Sequence, residues 1–153
     1  MNTQELTEFV QGLATKPESW RHLVEHDRAA RTYSELLRDD NVAAWLICWM
    51  DEHDTGFHDH DVSAGAVAVV SGSVREDRLV LGADPSTRVL GPGSTFSFEP
   101  SDIHRVQHAG AEPAVTIHAY SVPLTRMTYW ARTADGVLVP ARIVETDEPE
   151  SNA

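Results

Sequence analysis

His58 and His60 stand one residue apart at the mouth of 54-DTGFHDHDVSAGAVAVVSG-72. In a strand, residues i and i+2 point to the same face, so the two imidazoles project together and Asp59 points away. That is how a strand offers two nitrogen ligands to one metal. Taken alone, the pair is also compatible with two surface or hydrogen-bonded histidines. His104 follows the turn 100-PSDIH-104 and opens another strand. In 114-AVTIHAYSV-122, Thr116, His118 and Tyr120 alternate and share one face, with Ile117 and Ala119 on the other. A hydroxyl, an imidazole and a phenol in a row can orient a proton, or can satisfy one another inside a core. The other histidines read more plainly. His22 and His26, four apart, suit a solvated helix face, and His53 suits a polar turn among Asp51, Glu52 and Asp54.

These side chains need elements to hold them. In 3-TQELTEFVQGLAT-15, Leu6, Phe9, Val10 and Leu13 recur at helical spacing, with Thr3 as N-cap. A second short helix is expected in 18-ESWRHLVEH-26, after Pro17. From Arg31 the texture changes. The run 42-VAAWLICWM-50 is short, continuously apolar and rich in Trp and branched residues, and reads as a buried strand. Beyond it, Gly72, Gly82 to Pro85, Gly91 to Gly93, Pro100 to Asp102, Gly110 and Asp135-Gly136 punctuate short strands at even spacing. The expected architecture is all-β, a barrel or sandwich with N-terminal helices packed outside. Its divisions are an N-terminal helical segment over 1–30, a barrel over 31–144, and an acidic tail over 145–153 expected to be disordered.

The 153 residues suit one domain with one sizeable core. A net charge of −12 argues against nucleic-acid binding and against attraction to anionic lipid. No apolar run reaches the length of a membrane span, and MNTQELTEFV lacks the layout of a signal peptide, so a cytoplasmic location is expected. The single cysteine, Cys48, excludes an intrachain disulfide and a multi-cysteine zinc site, and reads as a core thiol. Trp45 and Trp49 read as core or barrel-wall packing.

The histidine stretches resemble the cupin superfamily, whose two motifs run G-x5-H-x-H-x3,4-E-x6-G and G-x5-P-x-G-x2-H-x3-N. Here His58-x-His60 is followed by Gly65 where the first motif has its ligand glutamate, and then by Gly72. In the second, Gly93 is followed by Glu99, Ser101, His104 and His108 at the positions of Pro, Gly, His and Asn. The glutamate is lost and the third histidine is kept. Over residues 31 to 130 the chain therefore resembles the thiol dioxygenases, the cysteine dioxygenase branch, and its 48-CW-49, 104-HRV-106 and 113-PAVTIHAYSVPL-124 are similar to segments of that family.

The resemblance implies a jelly-roll-like cupin β-barrel holding Fe(II) through His58, His60 and His104. It assigns Tyr120 as the active-site tyrosine and His118 as its hydrogen-bond partner, with Thr116 where the family usually has Ser. Gly65 falls where animal members carry a cysteine cross-linked to the tyrosine, so no cross-link can form, as in bacterial members. The implied reaction adds O2 to the sulfur of a small thiol, of cysteine or 3-mercaptopropionate type, to give a sulfinate. Three neutral imidazoles leave the full charge of the ion uncancelled, which favours an anionic thiolate. The family's Tyr-x-Arg-Asn, whose arginine holds the substrate carboxylate, is not reproduced. Arg31 and Arg38 of 31-RTYSELLR-38, and Arg126 of 123-PLTRM-127, are the candidates for that task. Two other readings are a three-histidine cupin that cleaves carbon–carbon bonds and a non-enzymatic cupin that binds a small molecule.

Overall fold

A computed structural model describes residues 1–149. Among these residues one α-helix and two 3-10 turns precede a run of strands. Asn2 caps helix α1 (Thr3–Ala14): its side chain accepts from the Glu5 amide at 2.8 Å, and the Glu5 carboxylate accepts from the Asn2 amide at 3.1 Å. The cap thus lies one residue before Thr3, because the reciprocal Asn2–Glu5 pair satisfies two of the orphan amides of the first turn.

The expected second helix does not form. Two 3-10 turns stand in its place, Pro17–Ser19 and Arg21–Leu23, separated by Trp20 with an extended φ of −138°. Trp20 instead donates its indole N–H to the Leu13 carbonyl at 3.1 Å, which ties the turns to the end of α1. His22 and His26 therefore share no helix face, and His26 Nε2 hydrogen-bonds the Ala114 carbonyl at 3.0 Å.

Among the described residues eleven strands follow. They are β1 (Thr32–Arg38), β2 (Ala43–Trp49), β3 (His58–Asp59), β4 (Ala64–Ser71), β5 (Ser73–Arg78), β6 (Ser86–Leu90), β7 (Thr95–Phe98), β8 (His104–Ala109), β9 (Ala114–Ser121), β10 (Arg126–Arg132) and β11 (Leu138–Glu145). They form two antiparallel sheets, one in the order β1-β2-β9-β4-β7 and the other β11-β10-β3-β8-β5-β6. The side chains between the sheets make one core, with Trp45, Ile47, Trp49, Val67 and Phe96 from the first and Val74, Val106 and Met127 from the second. This is an all-β barrel, as the strand pattern predicts, and of the jelly-roll-like form that the family resemblance implies.

The central strands β2 and β9 of the first sheet are buried along their whole length, because both faces of the sheet are covered there. Period-2 alternation sorts their residues. Trp45, Ile47 and Trp49 face the barrel interior, whereas Ala44, Leu46 and Cys48 join Val115, Ile117 and Ala119 beneath Leu6 and Val10 of α1. Ala64, Ala66 and Ala68 of β4 lie under the same helix, and their small size lets it approach the sheet. One α-helix covers this face where two helices are expected. Among the described residues, no helix is long and apolar enough to cross a membrane.

Of the acidic stretch from 145 onward, residues 145–149 are described. Glu145 ends β11, and Thr146 to Pro149 fold back against the barrel. Tyr33 donates to Glu148 Oε2 at 3.1 Å, Arg38 donates to the Asp147 carbonyl at 3.0 Å, and the Thr146 amide donates to the Thr125 carbonyl at 3.2 Å. These bonds join residues 146–148 to the barrel. Residues 150–153 lie outside the described residues.

Candidate metal centre

The three histidines reach one point by different routes. β3 is only two residues long, yet it is paired on both sides: His58 lies opposite His104 of β8 and opposite Tyr129 of β10. The His58 and His104 rings are cross-strand neighbours, with centroids 4.8 Å apart. His60 sits just past β3, where a turn closes from the Ser63 amide to the His60 carbonyl, and its ring is 4.7 Å from His58 and 5.1 Å from His104. One ring nitrogen of each lies within 4.8 Å of the others, and all three residues are buried. Asp59 points away and accepts from the Trp130 indole at 3.0 Å.

The outer nitrogens of the rings are handled in three ways. His58 Nδ1 donates to the Gly56 carbonyl at 2.8 Å. His104 Nδ1 meets the Glu76 carboxylate at 2.8 Å. His60 Nδ1 has no hydrogen-bond partner among the described residues, and its ring instead stacks on Phe98 at 4.3 Å and 21°. Fixing Nδ1 leaves Nε2 of His58 and His104 to face the common point, as ligating histidines require.

Glu76 is the residue that sequence reading missed. It lies 1% exposed on β5, held by Arg78 at 2.7 Å and Arg88 at 3.0 Å. Burial works against its ionised form, but the His104 hydrogen bond and the Arg78 guanidinium outweigh it and hold the carboxyl down to about 2. A signal existed: in 73-SVREDR-78 the alternation places Val74 and Glu76 on the same inward face.

Burial, reinforced by mutual repulsion, pushes His58 and His60 well below the usual histidine range. Burial also lowers His104, against the pull of Glu76. At neutral pH the three are neutral donors, a set that suits a first-row divalent ion.

On β9, Thr116, His118 and Tyr120 point inward as the alternation predicts. Thr116 Oγ1 lies 2.7 Å from His118 Nε2, and His118 Nδ1 lies 3.3 Å from Tyr120 Oη. Burial and then the Arg31 charge bring His118 down to about 3, and burial raises Tyr120. His118 and Tyr120 line the same cavity as the three histidines, together with Arg31, Ile47, Met127, Tyr129 and Pro149.

Of the three arginine candidates, the fold brings only Arg31 to this cavity. It is 6% exposed, with its guanidinium 5.0 Å from the Trp49 ring. Arg38 is corrected to a surface residue, because it leaves the barrel to pair with Glu35 and the Asp147 carbonyl. Arg126 is likewise corrected: it is exposed and pairs with Glu145 across the β10–β11 hairpin at 2.7 Å. His53 is more than a polar turn. It is buried, with Nδ1 accepting from the Met50 amide and Nε2 against the Arg28 carbonyl. His108 faces away from the centre, toward Asp51 and the Glu112 carbonyl.

Gly65 is explained by Phe98. A Cβ at position 65 would lie 2.2 Å from Phe98 Cζ, and the ring that fills this space is the one stacked on His60. Gly65→Ala is expected to destabilise the fold by about 1–3 kcal/mol through overpacking. By contrast, Gly12→Ala, where an added Cβ meets nothing within 4 Å, should be neutral or stabilising. Thermal unfolding of both variants checks this, and equal stability would contradict the steric account.

A second expectation concerns acid. Above pH 6.5 these histidines are neutral whether folded or unfolded and contribute no pH dependence. Below it the unfolded chain binds protons that the fold refuses, so stability falls as pH drops toward the lowered folded values. The loss at pH 5 is about 2 kcal/mol for each histidine still neutral there. Glu76 adds a loss in the same direction as pH falls from its ordinary range toward about 2. Urea titrations of metal-free protein at pH 7 and pH 5 measure the histidine part, and equal midpoints would refute it; the Glu76 part appears only below pH 5.

Comparison with known proteins identifies the family and the fold. The family model described as cysteine dioxygenase type I matches residues 1–133. Cysteine dioxygenase type 1 of Danio rerio is 21% identical over 160 aligned residues, covering 86% of this chain and 79% of the relative. Its Homo sapiens counterpart is 26% identical over 135 residues, covering 80% of this chain and 66% of the relative. Among solved structures, a Klebsiella pneumoniae protein with a double-stranded β-helix domain superposes with a TM-score of 0.58 at 14% identity, covering 80% of this chain and 93% of that one. The cupin domain of Schizosaccharomyces pombe Cnp3 superposes with a TM-score of 0.56 at 9% identity, covering 65% of this chain and 64% of that one. The structural neighbours share the fold, and the match over most of the chain places this protein in the cysteine dioxygenase type I family.

Proposed function

We propose that this protein is a thiol dioxygenase of the cysteine type, acting on a small thiol that carries a carboxylate. One observation carries the reading: His58, His60, His104, the Tyr120 phenol and the Arg31 guanidinium line a single buried cavity. His58, His60 and His104 would hold iron(II) through ring nitrogens. Bound there, the ion supplies thiolate binding and the redox chemistry through which O2 and sulfur combine. The overall change is balanced without another reductant: R–SH and O2 give R–SO2H, with both oxygen atoms on sulfur and the carbon–sulfur bond intact.

The chain's own groups set the geometry. Arg31 receives the substrate carboxylate in a charge-assisted, two-pronged contact, which directs the thiol toward the three histidines. Burial first and the Arg31 charge after it lower His58 and His118, and the same charge works against the rise that burial imposes on Tyr120, so the cavity favours an anion. Ile47, Phe98, Val106 and Met127 make the apolar wall that keeps water from the sulfur. Tyr120 stays protonated, because burial raises it, and can donate a hydrogen bond to the reacting oxygen or sulfur. His118 fixes the phenol, and Pro149 completes the wall from the C-terminal stretch.

Two experiments test this. Purified protein reconstituted with iron(II) should consume O2 and form sulfinate with cysteine or 3-mercaptopropionate. His58→Ala should lose the iron, whereas Tyr120→Phe should keep it and turn over more slowly. No turnover with any thiol, together with cleavage of a diketone, would replace the reading with a carbon–carbon-cleaving one.

Arg31→Gln should raise KM for cysteine about 30- to 100-fold, as expected for losing a hydrogen-bonded charge pair worth roughly 2–3 kcal/mol. Turnover of cysteamine, which lacks the carboxylate, should not show that loss. An equal effect on both thiols would remove Arg31 from carboxylate binding.

A further inference from the structure

Behind Thr116, away from Tyr120, stands Trp49 of β2. The side chain is completely buried, and its indole N–H donates to Thr116 Oγ1 at 2.8 Å. The hydrogen-bonded row is therefore four residues long: Trp49, Thr116, His118, Tyr120. An indole nitrogen can only donate, whereas a hydroxyl, a neutral imidazole and a phenol can each donate or accept. Trp49 is thus the one member of the row whose direction cannot reverse.

We infer that Trp49 fixes the polarity of this row, so that the Tyr120 O–H is turned toward the cavity. Thr116 Oγ1 accepts from the indole and has a single hydrogen to give. Two acceptors are in reach: His118 Nε2 at 2.7 Å and the Ile47 carbonyl at 3.5 Å. The shorter contact is an ordinary strong O–H···N bond, and the longer lies at the limit of a hydrogen bond. The hydroxyl therefore donates to Nε2. A neutral His118 accepting at Nε2 must carry its proton on Nδ1, which then donates to Tyr120 Oη. The phenol oxygen is thereby occupied as an acceptor, and its own hydrogen is left for whatever occupies the cavity.

The reverse polarity has the opposite result. If Thr116 donated to Ile47, His118 Nε2–H would donate to Thr116, and Nδ1 would take the Tyr120 hydrogen. The phenol would then offer the cavity an acceptor only. Indole donation favours the first arrangement because it already satisfies the Thr116 oxygen, which no longer needs Nε2–H as a donor. Thr116 and His118 lie 0% and 5% exposed, so water is poorly placed to compensate for a wrong choice. The Trp49 ring also carries the Arg31 guanidinium over it at 5.0 Å. One side chain thus touches both the proposed carboxylate anchor and the row that orients the phenol.

This inference rests on the proposed function only for its use, since the polarity is a property of the metal-free protein. Two-bond 15N–1H correlation spectra of histidine-labelled, metal-free protein report the tautomer directly, with His118 assigned by its loss in His118→Gln. The wild type should show the Nδ1–H tautomer at His118. Trp49→Phe keeps an aromatic face and removes the N–H, and should shift the tautomer ratio toward Nε2–H by about tenfold, the worth of one net hydrogen bond. Thr116→Ser keeps the hydroxyl and should retain the wild-type tautomer. In turnover, Trp49→Phe should lower kcat with little change in the KM for O2.

An Nε2–H tautomer in the wild type would overturn the inference, and needs no variant to fold. An unchanged ratio in folded Trp49→Phe would overturn the part assigned to Trp49. The Nδ1–H tautomer in a protein that oxidises no thiol would refute the functional reading and leave the polarity standing. Thiol oxidation with an Nε2–H tautomer would do the reverse.

Discussion

Strand β9 runs between β2 and β4, and its register against both decides what the barrel contains. Thr116 pairs with Ile47 on one side and Val69 on the other, and His118 with Trp45 and Val67. With side chains alternating between faces, this register sends Thr116, His118 and Tyr120 inward and Val115, Ile117 and Ala119 under the helix. A slip of one residue would exchange the two sets. A hydroxyl, an imidazole and a phenol would then lie beneath Leu6 and Val10, and three aliphatic residues would fill the cavity. The helix α1 guards against that slip, because its apolar stripe accepts only the aliphatic set. Stability and site geometry are therefore enforced by the same pairing.

Much of this was legible in the sequence because it depends on period and spacing. The His-x-His pair, His104 after its turn, and the alternating Thr116, His118 and Tyr120 all follow from side chains two apart sharing a face. The barrel follows from short strands divided by glycine and proline. The resemblance to a known family added which histidines to group and why the lost glutamate matters. The family match shows the family, and the fold brings the three histidines together.

What stayed hidden depends on contacts between distant segments. Trp20 bonds Leu13 and breaks a helix that periodicity favoured. Arg31, Arg38 and Arg126 look alike in one dimension, and only strand pairing separates a buried guanidinium from two that reach surface carboxylates. Glu76 lies 28 residues from His104 in the chain, in a strand whose charges suggest a solvated face. The tail is held by Tyr33, Arg38 and Thr125, none of which is near it in sequence. A composition argument counts residues and cannot see such partners.

The Gly65–Phe98 contact reaches past the present chain to the paths by which such sites change. The family resemblance implies a cysteine joined to the tyrosine in some relatives at the position of Gly65, and a ligand glutamate there in other cupins. In this barrel neither side chain can simply be added, because an aromatic ring already occupies the volume. Position 98 must first shrink or turn, and that would leave His60 without the surface on which it rests. The bare three-histidine arrangement is therefore separated from its cross-linked and carboxylate-bearing cousins by at least two coupled changes, the first of them costly alone. The absence of one side chain is thus locked in by the presence of another.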